Sequence, residues 1–202
     1  MKSDSAGTEY GKTYVRIGNI FEGGMDLTVL PCSSKKTISS ASRRWVELMD
    51  LVPPSEIDGK LQLGSVTKSM KFPGNKDITN NYLWAASVFN DATSFNAIEQ
   101  IGTELGLLTQ QRKTIRYVEV PLLGTRAGGL SNEESAKGLA QGFMKCSHPD
   151  STLHIFVFDR ERFSNLEHSL SEGKWGSMWE SVQLKPGMFG IGIDLKKLLS
   201  KK

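Results

Sequence analysis

At 202 residues, with 38% hydrophobic and 23% charged residues, the chain has the composition of a soluble globular protein: long enough for one well-buried domain with a terminal extension, short for two. Its net charge of +3 is too small to imply nucleic acid, and the basic residues fall in scattered pairs (Lys35/Lys36, Arg43/Arg44, Lys196/Lys197) rather than one stripe. No apolar run reaches membrane-spanning length, no signal-peptide core opens the chain, and Cys32 and Cys146 give neither a disulfide framework nor zinc spacing, so a reducing cytoplasm is expected.

In chain order, residues 1–12 read as a flexible lead-in. Strands are expected at Tyr14–Ile17 and Leu27–Leu30, the second nearly all apolar and so buried on both faces. Ala41, Trp45, Leu48 and Met49 recur at helical spacing until Pro53-Pro54 ends the helix. Pro53, Pro54, Pro73 and Gly74 mark residues 53–80 as a loop-rich excursion around a strand-like Leu61–Thr67. A continuous apolar strand follows at Tyr82–Phe89, then a helix with Phe95, Ile98, Ile101, Leu105 and Leu108 on one face.

Residues 114–130 carry the clearest chemical signal. A β-branched, apolar run ends at Pro121 and enters a loop containing Gly124, Gly128 and Gly129, after which Ser131 and Glu134 form a capping box ahead of Ala136, Leu139, Ala140 and Phe143. Strand, glycine-rich turn and helix start present backbone N–H groups to an anion, and glycines let a phosphate reach the main chain. The other reading is a tight strand-to-helix turn. No Gly-Lys-Ser/Thr follows, and the Gly-x-Gly-x-x-Gly spacing is absent. The last core strand, Leu153–Phe158, sets Leu153, Ile155 and Val157 on one face and His154, Phe156 and Phe158 on the other. A helix with Phe163, Leu166 and Leu170 inward comes next, and Trp175 and Trp179 are expected to staple residues 171–202 onto the domain. Within that extension, residues 187–195 read as a glycine-rich turn and an apolar strand.

Strands alternating with helices imply a three-layer α/β/α sandwich with a mixed, mostly parallel central sheet. Ligands of such sheets bind beyond the carboxyl ends of the strands, and the segments after residues 17, 30, 122 and 158 all lie at expected strand ends.

With these pieces in place the chain resembles the macro domain, an α/β module that binds ADP-ribose, over roughly residues 13–170. Pro121-Leu122-Leu123-Gly124-Thr125-Arg126-Ala127-Gly128-Gly129-Leu130 is similar to its second phosphate loop. Val157-Phe158-Asp159-Arg160 is similar to the end of its last strand, where an aromatic stacks on adenine, and Gly18-Asn19-Ile20 stands where the family has Gly-Asp-Ile. The departures fall in the first half of the site. Asn19 replaces an Asp, keeping a carbonyl acceptor without its charge. Leu30-Pro31-Cys32-Ser33 replaces the Asn-Ala-Ala-Asn segment, so Ser33 stands for the ribose-binding Asn. Ser34-Lys35-Lys36-Thr37-Ile38-Ser39-Ser40 replaces the glycine run of hydrolytic members.

The resemblance implies ligand contacts from Asn19, Ile20, Ser33, Lys35, Leu123, Gly124, Thr125, Arg126, Ala127, Gly128, Gly129, Phe158 and Asp159. Individual residues keep second readings: Phe158 as ordinary core, Asp159 and Ser39 or Ser40 as helix caps, Arg126 and Lys35/Lys36 as solvated charge. Cys32 reads as a small core residue, His154 as a structural histidine, and the three histidines show no metal spacing. No metal, cofactor or catalytic residue is assigned. The expected function is that of a reader or sensor of ADP-ribose or a related adenine nucleotide, free or carried on a modified protein, without membrane or nucleic-acid partners. An ADP-ribosyl hydrolase of the same fold and an interaction module without nucleotide are the alternatives.

Overall fold

A computed structural model of the chain describes residues 12–20, 25–72, 81–171 and 182–185. The strands are β1 (Lys12–Ile17), β2 (Leu27–Ser33), β3 (Met70–Lys71), β4 (Asn81–Val88), β5 (Tyr117–Pro121), β6 (Thr152–Val157) and β7 (Val182–Lys185). The helices are α1 (Ser40–Met49), α2 (Phe95–Gln111), α3 (Asn132–Cys146) and α4 (Arg160–Ser171). One seven-stranded sheet runs in the order β3-β4-β2-β5-β6-β1-β7. Its pairs are parallel except for β3 against β4. This is the mixed, mostly parallel sheet that the alternation of elements implies. Trp175, Trp179 and residues 187–195 lie outside the described residues, whereas β7, from the same part of the sequence, pairs with β1.

Alternation within each strand divides the core in two. Val15, Val29, Val118, Val120, Leu153 and Ile155 share one cluster with Ile98, Ile101 and Leu105 of α2, Leu139 and Phe143 of α3, and Phe163 and Leu166 of α4. The second cluster joins Leu30 and Cys32 of β2 to Tyr82 and Trp84 of β4, with Trp45, Val46 and Met49 of α1 packed against it. Burying a side chain such as Leu139 stabilises by about 1.5–3 kcal/mol relative to exposure. The α2–α3 contact is close because glycines face it: a Cβ on Gly142 would lie 2.0 Å from the Glu99 carbonyl oxygen, and one on Gly102 2.4 Å from that of Leu139.

Three local expectations change. Leu61–Thr67 is not a strand, since only Val66 forms an isolated bridge, to Ala85, and Gly64 at φ +88° turns the chain beside it. The pairing strand of this excursion is the two-residue β3 instead. Leu48 is 72% exposed, so α1 buries a narrower stripe than its apolar spacing suggests. β5 starts at Tyr117 rather than at residue 114, where the N–H groups of Arg116 and Tyr117 donate to the Asp26 carboxylate at 2.8 and 2.9 Å.

The connectivity also creates an opening. From β2 the chain crosses towards β4, and from β5 towards β6, so β2 and β5 flank the point where strand order reverses. Their pairing covers only Leu27↔Val118 and Thr28↔Glu119. Beyond it comes Pro31, which has no N–H to give a ladder.

Candidate functional site

A cleft of about 690 Å³ occupies this opening at the carboxyl ends of the strands. Of the residues that the sequence singles out, Asn19, Ile20, Ser33, Gly124, Thr125, Arg126, Ala127 and Phe158 line it. Four widely separated segments thus meet in one place because each follows a strand of the parallel sheet.

The β5–α3 wall is made of main chain. Gly124 and Gly129 take φ values of +71° and +77°, which glycine adopts without strain. The loop closes on itself: Leu130 N–H donates to the Gly124 carbonyl at 3.1 Å, and Gly129 N–H to that of Arg126 at 3.3 Å. Gly128 is pinned differently, its carbonyl accepting from Thr93 N–H at 3.2 Å. A Cβ there would sit 2.4 Å from the Gly124 carbonyl oxygen. Gly128 and Gly129 shape the loop and do not line the cleft; nor does Leu123, fully buried with its N–H donating to Ser135 Oγ at 2.9 Å.

The β2–α1 wall is held in shape by hydroxyls. Ser33 N–H donates to the Thr37 carbonyl at 2.8 Å, Thr37 N–H donates to Ser33 Oγ at 3.0 Å, and the two hydroxyls lie 2.6 Å apart. Ser39 caps α1, its Oγ accepting from Ser42 N–H at 3.1 Å. Thr37, Ser39 and Ser42 all line the cleft, so the start of α1 faces it, with no acidic residue in the first turn. The start of α3 behaves otherwise. Its capping box forms as expected, yet Ser131 lies outside the lining, and Glu133 and Glu134 occupy the first turn. The bonds from Ser131 hold the Glu134 carboxyl below its ordinary range. Of the two helix starts, α1 is the one placed and charged to receive an anion.

At the β6–β1 end Phe158, expected within the last strand, lies one residue past β6 and is 77% exposed, whereas Phe156 within β6 is buried beneath the cleft. Asp159 does not line the cleft. Its carboxylate accepts from the Arg162 N–H at 2.8 Å and pairs with Arg162 Nε at 3.0 Å, the capping role of the two that the sequence left open. Arg162 itself lines the cleft. Lys35 stands apart in a shallower groove with Lys36, Lys60 and Phe89, its Nζ 5.6 Å from the Phe89 ring centre.

The sequence reading passed over Arg44 and Trp45 of α1, Ser87 and Val88 of β4, and Asp91, all of which line the cleft. The rule used for the other strand ends, applied after Tyr82–Phe89, points to Asp91 alone; Ser87 and Val88 belong to the strand itself. Nothing in their spacing marks the first two.

Two buried groups, one on β2 and one on β5, have strongly raised pKa values. Burial pushes the Cys32 thiol up to about 12, and its Sγ donates to the Ala85 carbonyl at 3.5 Å, so it is an un-ionised wall residue rather than a nucleophile. Glu119, on the last rung that joins β2 and β5, is raised to about 7 by burial, against the opposing Thr28 hydrogen bond and the Arg16 charge. Among the described residues no group of three or more His, Cys, Asp or Glu side chains is arranged to hold a metal ion, and no helix is long and apolar enough to cross a membrane.

No protein-family model matches the sequence, and no curated protein matches it. Solved structures do match by shape. The macrodomain of Mycobacterium tuberculosis DarG is 17% identical with a TM-score of 0.57, over 74% of this chain and 99% of that one. An Oceanobacillus iheyensis macrodomain with ADP is 13% identical with a TM-score of 0.56, over 77% and 88%. A Trypanosoma brucei macrodomain in complex with ADP is 10% identical with a TM-score of 0.59, over 76% and 66%. What is shared at these identities is architecture: the chain has the macrodomain fold.

Proposed function

We propose that the cleft binds ADP-ribose or a related adenine nucleotide and that the protein is a reader or sensor of that ligand. The observation that carries this reading is that the Gly124–Ala127 main chain and the start of α1 line one cleft at the sheet's switch point. A diphosphate between them meets N–H donors and, from Arg126, a guanidinium. Adenine then rests on the exposed ring of Phe158 beside Asn19, and a ribose reaches the hydroxyls around Ser33. The ADP named in the Oceanobacillus and Trypanosoma macrodomain complexes agrees with this class of ligand.

Reading is favoured over hydrolysis by the side chains available. Among the lining residues Asp91 is the one carboxylate and there is no histidine, and the Ser33 hydroxyl is engaged by Thr37. A general base next to a positioned water is thus poorly provided for. Isothermal titration with ADP-ribose, with AMP and ADP as comparators, tests the proposal. Micromolar binding selective for ADP-ribose is expected. Silence towards all three overturns it, and release of ADP-ribose from a modified protein replaces reader with hydrolase.

A further inference from the structure

The cleft has an aromatic side chain at each end. Phe158 marks the β6–β1 end. Trp45 marks the other, because α1 packs on the core cluster built from β2 and β4 residues, and Trp45, half-buried against that cluster, also lines the cleft. Between them in the sheet lies β5, which delivers the glycine loop. With strands spaced about 4.8 Å apart, the two ends are separated by two to four spacings, about 10–19 Å. ADP-ribose fills one end and the centre with its single base, and its bare distal ribose brings no aromatic ring to Trp45.

We propose that the ligand carries a second aromatic ring on its distal ribose, stacked on Trp45, so that the cleft takes two rings joined by a diphosphate, as in a dinucleotide of the NAD type. Phe158 serves the first ring, the glycine loop and the start of α1 the diphosphate, and Trp45 the second. The charged groups of the cleft suit a nicotinamide. Asp91, the one carboxylate among the lining residues, supplies negative charge for a pyridinium, which the face of Trp45 attracts at its own end. Arg44 at the same end supplies N–H donors for a carboxamide oxygen. The two charges offset one another, leaving the ring contact as the main source of preference. This rests on the reading of the cleft as a nucleotide site.

The test is parallel titration of the full chain with NAD and with ADP-ribose. NAD is expected to bind about tenfold tighter, the scale of one aromatic stacking contact. Trp45→Leu, which keeps apolar packing against the second core cluster, is expected to bring NAD down to the affinity of ADP-ribose, and Trp45→Phe to restore most of the difference. The wild-type comparison needs no variant and therefore stands even if Trp45→Leu does not fold. ADP-ribose binding with no gain for NAD, or a gain that survives Trp45→Leu, overturns this proposal alone. Silence towards both ligands overturns the nucleotide reading and this proposal with it.

Discussion

The two walls of the cleft solve the same problem with different materials. On the β5–α3 side the loop is held by its own backbone, through glycines in positive φ and main-chain bonds from residue 130 back to 124. On the β2–α1 side the turn is held by side chains, Ser33 to Thr37 and Ser39 to Ser42. A backbone-built wall tolerates almost no added atom where chain meets chain. A hydroxyl-built wall loses one bond at a time. The difference teaches where the site is rigid in sequence and where it is adjustable.

The strongest way to break the comparison is Gly128→Glu. Its Cβ meets the Gly124 carbonyl, a rigid neighbour, so ADP-ribose binding should disappear in titration and urea stability should fall by about 1–3 kcal/mol. Glu119, where the two walls join, gives the next effect. Its folded pKa, raised to about 7 from 4.5, means the folded state holds this proton across a window in which the unfolded chain has released it. Its contribution therefore favours the fold at low pH and declines as pH rises from about 4.5 to 7, levelling above that. Denaturant titrations across this range should show the decline in the wild type and a flatter profile in Glu119→Gln. Ser39→Ala should cost about 1 kcal/mol by removing the α1 cap, with a smaller loss of ligand affinity than Gly128→Glu. The smallest expected effect is that of Phe158→Ala. At 77% exposure its ring contributes little to the core, so the melting temperature should hardly move while ADP-ribose binding weakens about three- to tenfold.

How much of this was legible in the sequence follows from the same contrast. Positive φ and close approach leave glycines behind, and Gly124, Gly128 and Gly129 announced their loop. Continuous apolar runs announced β2 and β4, and helical spacing announced α2 and α3 with their buried faces. Hydroxyl contacts leave no comparable mark, since serine and threonine suit any solvated loop; Ser33 stood out only through the resemblance, and its bonds to Thr37 were not foreseen. Trp45 was hidden for another reason: a ring that rests partly on the core and partly on a cleft has the spacing of a core residue. β3 is too short for any periodicity, and the excursion before it reaches β4 through single bonds, such as Gly64 N–H to the Ala86 carbonyl at 2.9 Å.

The early end of the β2–β5 ladder has an evolutionary corollary. Because the cleft exists where two neighbouring strands stop bonding after Thr28↔Glu119, its walls belong to segments some 90 residues apart that share only two rungs. Each can drift with few correlated changes in the other. Either wall can change while the architecture, shared with solved macrodomains at 10–17% identity, is kept.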